Sequence, residues 1–149
     1  MAIHPNTWIL VADASRARLF VTDGKVAPWA LRKEFAHPAS AAKVSEIMAD
    51  KAGRVQQRVA TGKRSAVESP TSPKETEAKR FAHELAAELG REHGRNSFSR
   101  LVLVAAPQFL GLLRGSLSAP VMKCVVATVD KDFTHLVDRE LPDRLRDEI

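Results

Sequence analysis

The chain has 149 residues, of which 44% are hydrophobic, 28% are charged and 5% are aromatic. That length fits one domain with its own hydrophobic core and leaves no room for a second domain of ordinary size. A single cysteine excludes an internal disulfide and any zinc site built on several cysteines. The formal net charge of +5 favours polyanionic partners.

Nothing in the sequence is typical of a membrane protein. No stretch reaches the roughly eighteen consecutive apolar residues of a membrane span. The apolar run near the N-terminus ends at Asp13 and is not preceded by the basic segment of a signal peptide. We therefore expect an unsecreted, cytoplasmic protein without a membrane span.

The first part of the chain predicts an antiparallel meander of three strands. Residues 7–13 form a continuous apolar run, which is typical of a strand buried on both faces. Residues 17–22 alternate in polarity, turn residues follow at 23–25, and a third strand is predicted at 29–35. The polar face of this third strand indicates a position near the sheet edge. Its alternation places three side chains on the buried face: Trp29, Leu31 and Phe35.

Two helices and a long loop are predicted in the middle of the chain. Apolar residues at helical spacing indicate a short amphipathic helix at 40–50, and residues 51–73 show no period and read as a surface loop. Ser72, followed by proline and then by Glu75, has the spacing of a capping box. A helix should therefore start there, and Gly90 with Gly94 marks its end. Its apolar stripe consists of Ala78, Phe81, Ala82, Leu85, Ala86 and Leu89.

The second half of the chain predicts a βαβ unit. Fully apolar strands are expected at 101–106 and 124–129, with a helix at 109–117 between them. Strand, helix and strand within about thirty residues usually give two parallel strands. Gly111 and Gly115 lie four residues apart on the helix, and this spacing would let the helix pack closely on the sheet.

Together these elements predict one α/β domain spanning residues 1–149. Its sheet should be five-stranded and mixed, joining the antiparallel meander to the parallel βαβ unit, with helices flanking it. Cys124, at the start of an apolar strand, is expected to be a buried small hydrophobe in a reduced compartment.

Several segments along the chain form one recognisable order: residues 8–20, Gly62-Lys63-Arg64, Pro73-Lys74-Glu75, residues 101–114 and Asp130-Lys131-Asp132-Phe133-Thr134-His135. These segments resemble the bacterial host attachment protein family, whose members are described as required for attachment to host cells. The resemblance covers nearly the whole sequence.

More distantly, the order of elements is similar to the central domain of archaeo-eukaryotic peptide-chain release factors. That resemblance implies an RNase H-like arrangement with a long loop before the main helix, where release factors carry the Gly-Gly-Gln that hydrolyses peptidyl-tRNA. This chain has Gly53-Arg54-Val55-Gln56-Gln57 in the comparable loop and lacks Gly-Gly-Gln. The resemblance therefore implies the fold more than the hydrolytic activity.

A basic loop is the first candidate site. Residues 51–67 contain no Asp or Glu and no aromatic residue. Such a loop can follow a phosphate backbone by charge attraction without reading bases, so ribosomal or other structured RNA is the expected partner. The alternative is a solvated loop without a partner. The candidate nucleic-acid-binding residues are Lys51, Arg54, Arg58, Lys63 and Arg64.

The second candidate site lies at the ends of the apolar strands. Asp13, Asp130 and Asp132 follow strands at the position where α/β sheets gather their ligands, and His135 lies close by in sequence. Three carboxylates could hold Mg²⁺. The alternative is that these residues form turns and caps, and no metal site is assigned.

We therefore expect a non-enzymatic cytoplasmic binding module of the host attachment family, with the basic loop on ribosomal or transfer RNA. No catalytic residue and no cofactor is assigned. One alternative is a factor acting directly in attachment to host cells. A further alternative is a metal-dependent hydrolase that uses the strand-end aspartates.

Overall fold

Strands and helices occupy most of the chain described by the computed structural model, which comprises residues 5–23, 29–37 and 72–148. The strands are β1 (Pro5–Ala12), β2 (Arg16–Asp23), β3 (Ala30–Ala36), β4 (Arg100–Val104) and β5 (Val125–Val129). The helices are α1 (Pro73–Gly94), α2 (Pro107–Ser116), α3 (Ala119–Met122) and α4 (Leu141–Arg146), with a 3-10 helix (Asp138–Glu140) before α4.

The five strands form one mixed sheet in the order β3-β2-β1-β4-β5. The pairs β1–β2 and β2–β3 are antiparallel, whereas β1–β4 and β4–β5 are parallel. The prediction of a meander joined to a βαβ unit is therefore confirmed, as is the single α/β domain with a mixed sheet and flanking helices.

One face of the sheet is covered by α1 and α2. Helix α1 begins where the capping box predicts, since the Ser72 Oγ accepts a hydrogen bond from the Glu75 N–H at 3.1 Å. Its predicted stripe is buried. The apolar residues of this face include Trp8, Leu10, Leu19, Phe81, Leu85, Leu89, Leu103 and Leu113.

The opposite face is covered over β1, β4 and β5 by the chain that follows β5. Ile9 and Val11 of β1 pack there against residues from that C-terminal segment. Strand β1 is thus buried on both faces, as its continuous apolar run predicts. The C-terminal residues of this layer are Phe133, Leu136, Leu141 and Leu145.

The predicted alternation in the third strand is wrong. The register between β2 and β3 shifts and leaves Arg32 with no residue opposite it. The extra residue reverses the alternation, so Phe35 packs on the α1 side while Trp29 packs on the other face. Leu31 is 41% exposed, although the strand does lie at the sheet edge as expected.

The last strand also differs from its prediction. Its continuous apolar run suggests burial on both faces, yet β5 is the other edge of the sheet and most of its side chains are only half-buried. Cys124 is likewise half-buried rather than buried. Partial cover of both faces by neighbouring elements is enough to keep an apolar sequence in an edge strand, so the apolar run did not distinguish an edge from the centre of the sheet.

The glycines of α2 do not pack on the sheet. Gly111 and Gly115 are exposed, and a Cβ at either position would meet no other atom within 4 Å. Helix α1 ends at Gly94, one of the two glycines predicted to mark its stop, and Gly90 lies one turn earlier. Close approach to the sheet therefore does not explain these residues.

Two predictions fall largely outside the described residues. The helix at 40–50 lies wholly outside them. Of the loop at 51–73, only Ser72 and Pro73 are described, and these are the N-cap and the first residue of α1. None of the described helices combines the length and apolar content that a membrane crossing requires.

Replacing Gly111 by Ala should stabilise the protein by about 0.5–1 kcal/mol, because alanine loses less backbone entropy in a helix and fits without a clash. Chemical denaturation followed by circular dichroism measures this difference. Leu113→Ala is the matched control on the same helix, and the loss of this buried side chain should cost about 2–5 kcal/mol. A destabilising Gly111→Ala would show that the open side of α2 is occupied.

Candidate functional site

Four strands end at one edge of the sheet, which we call the carboxyl edge. Strands β1, β4 and β5 are parallel, and β3 shares their direction because β2 runs antiparallel to both β1 and β3. Open α/β sheets bind ligands beyond the carboxyl ends of their strands. Asp13 follows β1 at this edge, His37 follows β3 and Asp130 follows β5.

Asp13 organises the turn between β1 and β2. Its Oδ1 accepts hydrogen bonds from the N–H groups of Ser15 at 2.8 Å and Arg16 at 2.9 Å, and from the Ser15 hydroxyl at 3.2 Å. Burial opposes the charged form, but these bonds and one from Thr134 outweigh it and lower the pKa of Asp13. The carboxylate is therefore ionised at neutral pH and acts as the acceptor of the turn.

Thr134 links this turn to the segment after β5. Its hydroxyl lies 3.1 Å from the Asp13 Oδ2 and also contacts the Asp132 Oδ1, which accepts the Thr134 N–H at 2.9 Å. One hydroxyl carries one proton, so Thr134 donates to one carboxylate at a time. The contact fixes the end of β1 to the C-terminal layer.

The strand-end candidates do not form one cluster. Asp13 and Asp132 meet through Thr134, whereas Asp130 and His135 are exposed and make no hydrogen bond or ion pair to Asp13. Within residues 5–23, 29–37 and 72–148, no three His, Cys, Asp or Glu side chains are arranged to hold a metal ion. Turn formation accounts for the bonds of Asp13 and Asp132, and this geometry gives the hydrolase alternative no support.

A groove of about 1010 Å³ opens beside the Asp13 turn. It lies between the outer strands β2 and β3 and the segment that precedes α4. Its lining residues are Val11, Arg16, Ala17, Arg18, Glu34, Phe35, Ala36, Thr134, Leu136, Val137, Asp138 and Arg139. The groove exists because the C-terminal layer covers the inner strands of this face and stops short of the outer two.

Arg18 holds the C-terminal wall of the groove. The guanidinium forms an ion pair with Asp138, and its Nη2 donates to the carbonyl oxygens of Thr134 at 3.0 Å and Leu136 at 2.8 Å. The side chain is only 16% exposed and lies over the Phe20 ring. Sequence reasoning did not single out this residue. The sequence does contain a signal for it: in the alternating run 17–22, Arg18 lies on the same face of the strand as Phe20, which is buried.

Two other arginines give the groove positive charge. The Arg16 side chain is 60% exposed, and its Nε lies 3.5 Å from the Asp13 carboxylate. Arg139 is exposed and forms no ion pair within the part of the chain that the structure describes. Of the two acidic residues that line the groove, Asp138 forms an ion pair with Arg18 and Glu34 does not. Arg139 therefore offers its whole guanidinium to an anion, and Arg16, whose Nε faces Asp13, offers its two exposed Nη groups.

His37 joins the end of β3 to the first turns of α1. Its Nε2 lies 2.8 Å from the Glu77 Oε2, its Nδ1 lies 3.2 Å from the Glu84 Oε1, and its ring stacks on Phe81. The sequence signal for this contact is an acidic residue, Glu77, at a buried position beside the apolar stripe of α1. The chain leaves the described residues here and re-enters them at Ser72. Both ends of segment 38–71 therefore lie at the carboxyl edge.

The predicted basic site lies outside the described residues, so its five members stay a prediction: Lys51, Arg54, Arg58, Lys63 and Arg64. The charge balance shows why the segment matters. Residues 38–71 contain six Lys or Arg and three Asp or Glu, whereas the described residues contain sixteen and fifteen. Most of the net positive charge thus belongs to segment 38–71, whose flanking residues His37 and Ser72 lie towards the carboxyl edge.

Replacing Asp13 by Asn should lower the free energy of unfolding by about 1–3 kcal/mol at pH 7, because the amide carries no charge and offers one acceptor oxygen. The lowered pKa of Asp13 stabilises the folded state above 3.8, the ordinary value, and this stabilisation is lost as the pH falls through the lowered pKa. Urea unfolding should therefore show a smaller deficit in acid. Asp130→Asn, at the end of β5, is the matched control. Equal losses in both variants would contradict the assignment.

Replacing Arg18 by Met should destabilise the protein by about 2–3 kcal/mol, because two carbonyl oxygens and Asp138 lose their donor. Hydrogen exchange should become faster at residues 133–138. Arg16→Met is the control, since this exposed side chain should change stability by less than about 0.5 kcal/mol. Unchanged exchange at 133–138 in Arg18→Met would show that Arg18 does not hold the wall.

Comparison with known proteins gives one family. A family model described as "Protein required for attachment to host cells" matches residues 8–145. The matched span runs from β1 into α4 and includes the carboxyl edge and the groove. No curated protein matches the chain.

Proposed function

Because the chain belongs to the family of proteins required for attachment to host cells, as its sequence resemblance predicts, we propose a molecular role for it within that family. It is a non-enzymatic module that binds the phosphate backbone of ribosomal or transfer RNA. The contacts come from Lys51, Arg54, Arg58, Lys63 and Arg64, and the protein works in the cytoplasm, where these RNAs are found.

The observation that supports this proposal is the position of the described residues on either side of the basic segment. His37 precedes segment 38–71 at the carboxyl edge, and its contact with Glu77 brings the start of α1, where the chain re-enters at Ser72, close to the same edge. The groove at the same edge exposes the guanidinium groups of Arg16 and Arg139. Under this proposal the basic residues of segment 38–71 act together with Arg16 and Arg139 on a polyanion at this edge, whereas the rest of the described part is nearly neutral.

The residue types favour RNA backbone over bases. Arginine guanidinium groups pair with phosphate oxygens in bidentate geometry. Base readout on single strands needs stacking side chains, and residues 51–67 contain no aromatic residue. Binding should therefore be insensitive to sequence and should weaken steeply as salt is raised, since each neutralised phosphate releases counterions.

The resemblance to the release-factor central domain supports the choice of RNA. The proposal takes from this resemblance a domain that contacts RNA through the long segment before its main helix. Here Val55 and Gln56 stand in the comparable segment, which has no Gly-Gly-Gln. The proposal therefore keeps the contact with RNA and omits peptidyl-tRNA hydrolysis.

A direct role at the host surface is the second candidate, and the family description favours it. The two roles differ in where the protein lies. Surface biotinylation of intact cells labels a direct attachment factor, whereas an RNA-binding module stays unlabelled and fractionates with cell contents.

The test is binding of the full chain to purified ribosomes and to labelled tRNA over a salt series. Changing Lys51, Arg54, Arg58, Lys63 and Arg64 to Ala should abolish co-sedimentation at moderate salt. The slope of log affinity against log salt should fall by about 0.7–0.9 for each phosphate that the variant no longer neutralises. Arg16→Ala/Arg139→Ala should weaken binding several-fold.

Arg100→Ala/Arg114→Ala is the charge-matched control for the groove. Both side chains are exposed, Arg100 starts β4 at the opposite edge, and Arg114 lies in the last turn of α2. This variant should bind like the native chain. Absence of the native chain from ribosome and tRNA complexes even at low salt would overturn the proposal.

A further inference from the structure

One acidic side chain in the groove is not explained by phosphate binding. Glu34 lines the groove together with Arg16, Arg18 and Arg139. It is exposed, and it forms no ion pair or hydrogen bond within the described part of the chain. A carboxylate repels a phosphate at short range, so a groove that binds a polyanion gains nothing from this residue unless the ligand also carries a hydrogen-bond donor.

The strand pairing determines where Glu34 lies. It stands directly opposite Arg18 in the register of β2 and β3, and directly opposed side chains project from the same face of the sheet. The two residues nevertheless form no ion pair, because the Arg18 guanidinium is bound to Asp138 and to two backbone carbonyl oxygens of the C-terminal wall. Glu34 therefore keeps its acceptor oxygens for a ligand on the β3 side of the groove.

Two guanidinium groups lie near this acceptor. Arg16 precedes Arg18 by two residues in β2, so it projects from the same face, roughly 7 Å along the strand. On the opposite wall, Arg139 follows Asp138, the ion-pair partner of Arg18. Around Arg18 the groove thus presents one free acceptor and two cationic donors. A matching ligand carries anionic oxygens and, close to them, a hydroxyl or amine donor.

The RNA backbone has this pattern and the DNA backbone does not. Phosphate oxygens accept hydrogen bonds from guanidinium groups, and the ribose 2′-hydroxyl is a donor that DNA lacks. Carboxylates also accept hydrogen bonds from ribose 2′-hydroxyls in dinucleotide-binding domains. The donor belongs to the sugar and is the same for every base, which agrees with binding that is insensitive to sequence.

We propose that Glu34 accepts a hydrogen bond from a ribose 2′-hydroxyl while Arg16 and Arg139 pair with nearby phosphates, so that the groove selects RNA over DNA. This inference rests on the proposed function and names the part of the RNA that the groove recognises. Selection has two sources, because RNA gains a hydrogen bond to the carboxylate and DNA meets its charge without a compensating donor.

The test compares an oligouridylate with its 2′-deoxy and 2′-O-methyl counterparts, which share base and charge and differ at the sugar. Binding to the full chain is followed by fluorescence anisotropy. The native chain should bind the ribose form roughly tenfold more tightly than the deoxy form, as expected for one hydrogen bond to a charged acceptor. The 2′-O-methyl form has RNA-like sugar geometry but no donor, so it should bind as weakly as the deoxy form.

Glu34→Ala should remove this preference, so that the three oligonucleotides bind with affinities within about twofold of one another. The deoxy form should bind at least as tightly as it binds the native chain, because the repulsion is gone. Asp130→Ala is the matched control. It removes the same charge from an exposed residue at the carboxyl edge that does not line the groove, so the native preference should persist. Circular dichroism checks that both variants fold.

Equal binding of the ribose and deoxy forms by the native chain overturns this inference and leaves the proposed function standing. A preference that survives Glu34→Ala also overturns it, since another group would then recognise the sugar. So does a preference that is lost in Asp130→Ala, since the effect would then come from general charge. Failure of the native chain to bind any of the three forms, or ribosomes and tRNA, at low salt overturns the proposed function and this inference with it.

Discussion

On the face of the sheet that the chain after β5 covers, the packing of this C-terminal layer against β2 depends on Arg18. This guanidinium is the main polar link between β2 and the chain after β5, and its partners are backbone carbonyl oxygens and Asp138. Apolar contacts of Phe133 and Leu136 cover the inner strands of the same face. Because its partners Thr134, Leu136 and Asp138 line the groove, Arg18 supports this wall, to which Arg139 also belongs. A structural residue thus shapes the surface that the proposed function uses.

On the face covered by α1 and α2, charged side chains connect the edge strand β3 to helix α1. Strand β3 is poor in buried apolar residues, and two ion pairs join it to α1: buried Glu92 with Arg32, and Glu88 with Lys33. Just after the strand, the His37 ring contacts buried Glu77. The hydrogen bond from Arg32 outweighs burial and lowers the pKa of Glu92. Such pairs add little net stability, but unpaired partners would be costly, so they fix the position of the strand along the helix.

Local patterns predicted most of the fold, and long-range contacts limited the rest. The apolar run of β1 and the cap at Ser72 depend on neighbouring residues, so the sequence alone locates them. Leu31 was misplaced because the register shift depends on the partner strand. Arg18 and His37 were missed because each meets partners more than thirty residues away, which no local pattern reveals. The edge position of β5 could not be predicted either, because strand order depends on long-range contacts and an apolar run can be a central or an edge strand.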